Sequence, residues 1–490
     1  MFLEILKAIE RTVGRVPSIH HGPRAVDLDI LFYDDELIDT RPEPLRGSLE
    51  NLEEHLVIPH PRMAEREFVL RPLYESAFAS FLFERSSVNF PGSMVPDFVH
   101  PVLLKPIHEL FSDVLEVSPV NFPAMIKVMP FPTYPHTSDC APPVAHVPDI
   151  PHTLTYWKFP PARSAVSATK QASPPRRTRL MATLNVTPDS FSDGSDHTTL
   201  SGALNYAMSS IATGADIIDV GGYSTRPGAA YVSPDEEKNR VVPVIAAIRA
   251  SPPPKNTTTG KQQYTPSLIS VDTFRPEVAR AAVLAGANCI NDVHAFTGPD
   301  YPPSESSASA YFVEMKKTAR LSGVPVILMH SRGDSGGNKD YSRFDSVLQG
   351  VTKELGEKVE AIVRGPGGVR RWLVMVDPGV GFSKTLEGNL QVLRDSASIT
   401  ADIRSEDGAW NPLRGYPLLI GTSRKSFLGT ILSQPNDERI HQGRQTTPKE
   451  RGWATAATVA CAVQQGAAVV RVHDVLELGD VVRVADAIWS

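Results

Sequence analysis

One repeating pattern, from Arg179 to the C-terminus, limits the fold more than any other feature of the chain. A short apolar stretch ends in a polar residue, and ten or more residues with helical spacing of apolar side chains then precede the next stretch. Alternating strands and helices require right-handed crossovers and a parallel sheet. Eight such units in about 310 residues predict an α/β fold, a closed (β/α)8 TIM barrel. The predicted strands end near Asn185, Asp219, Asp272, Asn291, His330, Asp377, Gly421 and Arg471.

Polar side chains stand at or just beyond these strand ends. A single Asp there is often only a helix N-cap, but that explanation does not cover a whole set. In a TIM barrel the carboxyl ends of the strands form the active-site mouth, so we expect the set to converge. One group offers acceptors and an amide, which suit a flat heterocycle with several N–H donors: Asp272, Asn291 and Asp377. The other group offers cations, which suit a diphosphate: Arg226, Lys425, Arg471 and His473.

The first 78 residues form a separate segment. In DLDIL, alternation places Asp27 and Asp29 on one face of a predicted strand, where two carboxylates can bind magnesium. A solvated strand face is the alternative interpretation. Further on, His60, Arg62 and Arg66 form a cationic cluster suited to phosphate.

Residues 79–178 are dense in proline, which removes backbone donors and interrupts helical and strand patterns. We predict a Pro-rich linker without chemistry, although its apolar patches are suited to docking on a neighbour.

Composition excludes several classes of protein. The net charge of -6 provides no general basic field for nucleic acid or an anionic membrane surface. The three cysteines have neither disulfide nor metal-ligand spacing, and no apolar run is long enough to span a membrane. At 490 residues the chain is too long for one core. We therefore expect at least two structural units, and small-molecule substrates without nucleic acid or membrane as partners.

The barrel region closely resembles the dihydropteroate synthase family. The motifs that carry the resemblance are LNVTPDSFSDG, GADIIDVGGYSTRPGA, ISVDT, INDV, VPVILMH, VDPGVGF, GTSRKSFLG and RVHDV, in that order. The resemblance implies condensation of 6-hydroxymethyl-7,8-dihydropterin diphosphate with 4-aminobenzoate, which yields 7,8-dihydropteroate and pyrophosphate in folate biosynthesis. It also implies a magnesium requirement.

Matching the family's motifs to this chain assigns roles to individual residues. The resemblance implies a magnesium-linked Asn185 and a pterin-ring set of Asp272, Asn291, Asp377 and Lys425. Arg471 and His473 would bind the diphosphate. Phe382, Lys425 and Ser426 would border the aminobenzoate, and Val380 stands where the family often has an aromatic residue. The mobile loops that close over the substrates would contain the following residues: Ser192, Asp193, Thr225, Arg226 and Pro227.

The N-terminal segment resembles the C-terminal half of 6-hydroxymethyl-7,8-dihydropterin pyrophosphokinase, through GPRAVDLDIL and IPHPRMAEREFVLRPL. The resemblance implies a partial ferredoxin-like α+β segment, magnesium ligation by Asp27 and Asp29, and ATP contacts from Arg24, His60 and Arg66. The other half of that family's domain has no counterpart here, so the exposed sheet edges predict an inactive segment. An incomplete N-terminus is one explanation and a degenerate docking remnant is the other. ATP would be used only if the kinase half is functional. The kinase-then-synthase order resembles the multifunctional folate proteins of eukaryotic microbes.

Two rival functions remain at this point. Folate-binding barrels of methyltetrahydrofolate-dependent methyltransferases share a pterin pocket but do not need the SRK and RVHD anion groups. A non-catalytic pterin-binding protein is the second rival. The family further implies a homodimer. We predict a cytoplasmic location, with mitochondria as the alternative.

Overall fold

The computed structural model describes residues 2–13, 28–33, 36–46, 55–75, 99–100, 103–117, 126–133, 153–159, 177–186, 199–224, 229–252, 268–301, 305–333, 335–364, 367–401, 403, 410–435 and 442–489. The chain divides into two compact units, Met1–Pro123 and Ala124–Ser490. No helix within the described ranges is long and apolar enough to cross a membrane.

The N-terminal unit is a small α+β arrangement. Two short strands pair in antiparallel register, with Ile38 opposite Ile58. Met63, Leu70 and Ile107 are fully buried in its core. Its described helices and strands are α1 (Phe2–Val13), β1 (Ile38–Asp39), β2 (Val57–Ile58), α2 (Glu67–Glu75) and α3 (Ile107–Val117).

Two sequence expectations need correction here. The strand predicted through Asp27 and Asp29 does not form in its described part, because residues 28–32 belong to no strand. The region predicted to be a linker is also partly structured, since it contains α3 and an antiparallel hairpin. The hairpin consists of β3 (Lys127–Pro132) and β4 (Thr153–Phe159).

The C-terminal unit is built on one eight-stranded parallel sheet, which confirms the prediction of a (β/α)8 barrel. An isolated parallel bridge between Val376 and Leu418 joins the two ends of the sheet. The strands are β5 (Arg179–Asn185), β6 (Ile217–Gly221), β7 (Leu268–Asp272), β8 (Cys289–Asp292), β9 (Val326–Met329), β10 (Val374–Asp377), β11 (Leu419–Ile420) and β12 (Val469–Val472).

Helices follow the strands and surround the barrel. The α-helices of this unit are α4 (Leu200–Thr213), α5 (Pro234–Ala250), α6 (Pro276–Leu284), α7 (Glu305–Ser322), α8 (Val347–Val363), α9 (Leu386–Arg394), α10 (Ser396–Ile399), α11 (Ser426–Ser433), α12 (Gly452–Gln464) and α13 (Val475–Trp489).

Local sequence signals determine where several of these helices begin and end. The hydroxyl of Thr199 accepts a hydrogen bond from the backbone N–H of Gly202 at 3.1 Å and caps α4. Gly214 ends the same helix with a φ of 116°, in the region that L side chains rarely adopt. Ser233 caps α5 and Ser346 caps α8 in the same way as Thr199.

The barrel interior has an apolar lower layer. Each strand contributes one buried side chain to it, and three side chains of the hairpin, Met129, Phe131 and Trp157, belong to the same cluster. The hairpin therefore closes the end of the barrel where the strands begin. The strand residues of this layer are Met181, Ile217, Leu268, Cys289, Ile327, Met375, Leu419 and Val469. Since apolar side chains fill the lower end of the barrel, a ligand can enter the interior only from the end where the strands finish.

Candidate active site

A cavity of about 400 Å³ opens at the carboxyl ends of the barrel strands. The described residues that the sequence predicted for the synthase site all line it: Asn185, Asp272, Asn291, Asp377, Phe382, Lys425, Ser426, Arg471 and His473. The structure therefore brings the predicted set together, while the role of each residue stays a prediction. Thr225 and Arg226 lie outside the described residues, as do Ser192, Asp193 and Pro227.

Arg471, in β12, is held between two carboxylates. Its Nε donates to Oδ2 of Asp219 at 2.7 Å, and its Nη2 donates to Oδ2 of Asp272 at 2.8 Å. Two bonds from one planar guanidinium fix its orientation as well as its position. The cation is thus pre-oriented at the cavity wall before any ligand binds.

Asp219, in the middle of β6, also orients a second cavity residue. It is fully buried, and its Oδ2 accepts a hydrogen bond from Nδ2 of Asn291 at 3.0 Å. Because that bond commits the amide nitrogen of Asn291, its carbonyl oxygen is the atom presented as an acceptor to a ligand. One carboxylate therefore sets the orientation of both Asn291 and Arg471.

Burial changes the titration of the cavity acids. It raises the pKa of Asp377 to about 6, against the lowering effect of a hydrogen bond that Oδ1 accepts from the Gly379 N–H at 2.7 Å. It raises the pKa of Asp272 to about 7, with Arg471 opposing that shift. The protonation state of both carboxyls near neutral pH therefore responds to hydrogen-bond donors of a bound ligand.

The loop after β10 forms another wall of the cavity. The ammonium of Lys425 lies 4.1 Å from the centroid of the Phe382 ring, a cation–π contact. Gly381 adopts a φ of 84°, and a Cβ there would lie 2.9 Å from Cδ of Lys425, so this close approach requires glycine. Val380, the predicted departure from the family's motif, is buried and lines the cavity.

His473, just after β12, is oriented by the neighbouring strand. Its Nδ1 lies 2.9 Å from the hydroxyl of Ser423, and its backbone N–H donates to the same hydroxyl at 3.2 Å. Its carbonyl accepts a hydrogen bond from Tyr206 at 2.9 Å. The adjacent Arg424 forms an ion pair with Asp474.

Sequence reasoning assigned no specific role to two residues that act on this site. Asp219 was among the polar strand-end residues expected to converge at the mouth, but it was placed in neither the acceptor group nor the cation group. Ser423 is the first residue of SRK, but sequence reasoning used only the cations of that motif and assigned no role to the serine. Only the strand order, in which β11 and β12 are neighbours, reveals its contact with His473.

The N-terminal unit brings together three of the residues predicted for ATP and magnesium. Oδ2 of Asp29 lies 3.5 Å from Nη1 of Arg66 and 3.7 Å from Nε2 of His60. Burial lowers the pKa of His60, which the nearby Asp29 partly opposes. Arg24 and Asp27 lie outside the described residues.

Comparison with known proteins identifies the family. The model of the pterin binding enzymes matches residues 181–473, and that of 7,8-dihydro-6-hydroxymethylpterin-pyrophosphokinase matches residues 1–78. The mitochondrial folate synthesis bifunctional protein of Arabidopsis thaliana is 33% identical, over 99% of this chain and 71% of its own length. Folic acid synthesis protein fol1 of Pneumocystis carinii is 32% identical over 99% of this chain, which spans half of that protein.

Other similarities concern the barrel alone. The dihydropteroate synthase of Bacillus subtilis is 37% identical over 64% of this chain and 90% of its own length. A solved structure of Xanthomonas albilineans dihydropteroate synthase with 4-aminobenzoic acid is 34% identical, covers 64% of this chain and 93% of its own, and has a TM-score of 0.48.

The chain therefore belongs to the family of pterin-binding enzymes. More narrowly, it is a folate-biosynthesis transferase of the dihydropteroate synthase type, preceded by a pyrophosphokinase-like segment. The predicted family and its domain order are confirmed.

Proposed function

We propose that the barrel condenses 6-hydroxymethyl-7,8-dihydropterin diphosphate with 4-aminobenzoate to form 7,8-dihydropteroate and pyrophosphate. The observation that carries this proposal is the composition of one cavity. Acceptors from β7, β8 and β10 and cations at β11 and β12 line the same space of about 400 Å³. A flat heterocycle with N–H donors and a diphosphate are the ligands that such a cavity fits.

Recognition of the pterin depends on Asp377 and Asn291. Asp377 accepts from the 2-amino group and the neighbouring ring N–H, and bonds of this charge-assisted kind contribute about 1.5–3 kcal/mol each. The carbonyl oxygen of Asn291 provides a further acceptor, because its amide nitrogen is bonded to Asp219. These acceptors hold the ring in one orientation.

Catalysis depends on the charges that develop as the diphosphate leaves. The bond between the pterin methylene carbon and the diphosphate oxygen breaks, and the amine nitrogen of 4-aminobenzoate bonds to that carbon and then loses a proton. The negative charge on the leaving group is stabilised by Arg471, His473 and Lys425. These side chains need not reorganise during the reaction, because their partners already orient them. No side chain acts as a nucleophile.

Asn185 would hold the implied magnesium ion, since a side-chain carbonyl oxygen is a ligand type that suits this metal. Magnesium in such sites retains water and phosphate ligands and takes only one or two ligands from the protein. Asn185 ends β5 and lines the cavity together with His473. When bound, the ion adds positive charge to the leaving diphosphate.

Pyrophosphokinase activity of the N-terminal unit, which would make the protein bifunctional, stays a separate proposal. The contacts of Asp29 with His60 and Arg66 bring together three of the residues predicted for magnesium and ATP, and ATP would be a cosubstrate only of an active kinase. The homodimer and the cytoplasmic location stay proposals. Two plant relatives, from Arabidopsis thaliana and Pisum sativum, are named as mitochondrial, which supports the alternative compartment.

The decisive test is pyrophosphate release by the purified chain given pterin diphosphate, magnesium and 4-aminobenzoate, with 4-aminobenzoate omitted in a parallel sample. Release that depends on 4-aminobenzoate is the expected result. If the folded chain binds the pterin but releases no pyrophosphate, the synthase proposal is wrong and a non-catalytic pterin-binding protein takes its place.

A further inference from the structure

A buried lysine lies behind the cavity wall formed by the loop after β10. Lys384 is 4% exposed, and its Nζ donates to the carbonyls of Gly379 at 2.9 Å and Phe382 at 3.0 Å. A third partner, Nδ1 of His330, lies 3.2 Å away. Three acceptors match the three hydrogens of an ammonium group.

His330 can accept this third bond because its other ring nitrogen is committed. Nε2 lies 2.9 Å from Oε2 of Glu354, and an ionised carboxylate only accepts, so Nε2 carries the hydrogen and Nδ1 is the acceptor. Burial lowers the pKa of His330 to about 3 and keeps the ring neutral. Glu354 is itself fixed by Arg332, whose Nε donates to Oε2 at 2.9 Å.

Lys384 therefore holds the loop at two points that matter for the cavity. Gly379 is one point, and its N–H donates to the carboxylate of Asp377. Gly379 has a φ of 67°, and a Cβ there would lie 2.0 Å from the carbonyl oxygen of His330, so the loop packs directly on that backbone. Phe382 is the second point, and its ring makes the cation–π contact with the ammonium of Lys425.

We infer that Lys384 is a positioning residue for the reaction, whose ammonium holds the 378–383 loop so that Asp377 and Phe382 face the substrates. Lys384, His330 and Glu354 are not among the residues that line the cavity, so they act only through the loop. This inference rests on the proposed synthase function. It assigns Lys384 to binding of the aminobenzoate, because Phe382, whose carbonyl Lys384 holds, is one of the residues predicted to border that substrate.

The protonation state of Lys384 determines how many hydrogen bonds it can donate to the loop. Burial lowers its pKa to about 7, and Asp377 opposes the shift. A neutral amine has only two hydrogens for three acceptors, so the loop loses one bond as the pH rises through that value. The charged or titratable groups that face Lys384 or His330 from the surrounding elements include Asp377, His330, Arg332, Tyr341, Glu354, Lys358 and Lys425.

Three variants test the inference: K384M, which removes the donors at similar length, K384R, which keeps a permanent charge, and K316M as the matched control. Lys316 also donates to two backbone carbonyls, of Ala361 at 2.9 Å and Arg364 at 2.8 Å, but between the outer helices. KM for 4-aminobenzoate and kcat are measured at saturating pterin diphosphate, from about pH 6 to pH 8.5 to span the titration.

We expect K384M to raise KM about tenfold or more, the effect of losing one charge-assisted bond, and K316M to change it by less than about twofold. KM of the natural chain should rise with pH through about 7, and K384R should remove that rise. An unchanged KM in folded K384M overturns the inference. Should K384M not fold, a KM that shows the same pH dependence in the natural chain and in K384R overturns it. Absence of release from the natural chain would instead refute the synthase proposal.

Discussion

Asp216 lies just before β6 and Asp219 lies in the middle of that strand, and substitutions at the two positions test activity and stability separately. Asp219 contacts Arg471 and Asn291 at the cavity end. Asp216 precedes the strand, and its Oδ1 accepts from Nη1 of Arg179 at 2.8 Å. In TIM barrels the first end carries the chemistry and the second contributes stability.

The expected effect of Asp219→Asn follows from the contacts of its carboxylate. Oδ2 accepts both bonds, whereas Oδ1 has no hydrogen-bond partner within the described structure. An Asn can keep its oxygen at the Oδ2 position, so the substitution removes the charge and keeps the acceptor. A charge-assisted bond contributes about 1.5–3 kcal/mol, so we expect kcat/KM to fall by about tenfold to a hundredfold.

The assay is steady-state pyrophosphate release together with thermal unfolding, for Asp219→Asn and Asp216→Asn in parallel. Asp216→Asn should lower Tm by a few degrees, on the order of 1 kcal/mol for a partly exposed pair, and leave kcat/KM within about twofold. Equal losses of activity in both variants, or full activity in Asp219→Asn, would refute the reasoning about orientation.

Three further predictions concern the cavity residues Asp377 and Arg471, the pH dependence and the hairpin. We expect Asp377→Asn and Arg471→Ala each to lower kcat by about a hundredfold or more, and near-normal rates in either would remove the corresponding assignment. Because the pKa of Asp377 is raised to about 6, the anion needed to accept pterin N–H groups is present above that pH and is lost as the pH falls through it, so kcat/KM should fall on the acid side. A flat acid limb would contradict this. Phe131 is fully buried, and Phe131→Ala should destabilise the barrel by about 3–5 kcal/mol in denaturant unfolding while KM stays constant. Tyr156→Ala, on the exposed side of the hairpin, is the control. An equal loss of stability in that variant would show that packing of the hairpin against the barrel strands is not the cause.

The barrel was predictable from sequence because its signal is local and repeated. Each strand is a short apolar run, and each helix has a periodic face, so eight units with polar ends define both the fold and the position of its mouth. The cavity residues followed from strand ends, since the carboxyl ends of parallel strands meet at one edge.

The parts that sequence did not reveal depend on distant partners. Proline density in residues 79–178 argued against strands, yet Pro130 and Pro132 lie in β3. Within the described residues β3 pairs only with β4, and proline is tolerated in such an edge strand because its missing N–H is not needed on the unpaired side. The role of Asp219 depends on Arg471, and that of Lys384 depends on His330. Neither pairing has a local pattern. The predicted strand at Asp27 and Asp29 was wrong in its described part because alternation alone does not supply a pairing partner.

The β3–β4 hairpin, which closes the lower end of the barrel with Met129, Phe131 and Trp157, constrains the order in which the barrel assembles. Its three buried side chains belong to a cluster with one residue from every strand, from Met181 to Val469. That layer is complete only when the first and last strands have met, so the hairpin cannot reach its final packing on a partly built sheet. We therefore expect Trp157, which is 3% exposed, to change its fluorescence in the last kinetic phase of refolding, after the helical circular dichroism has recovered.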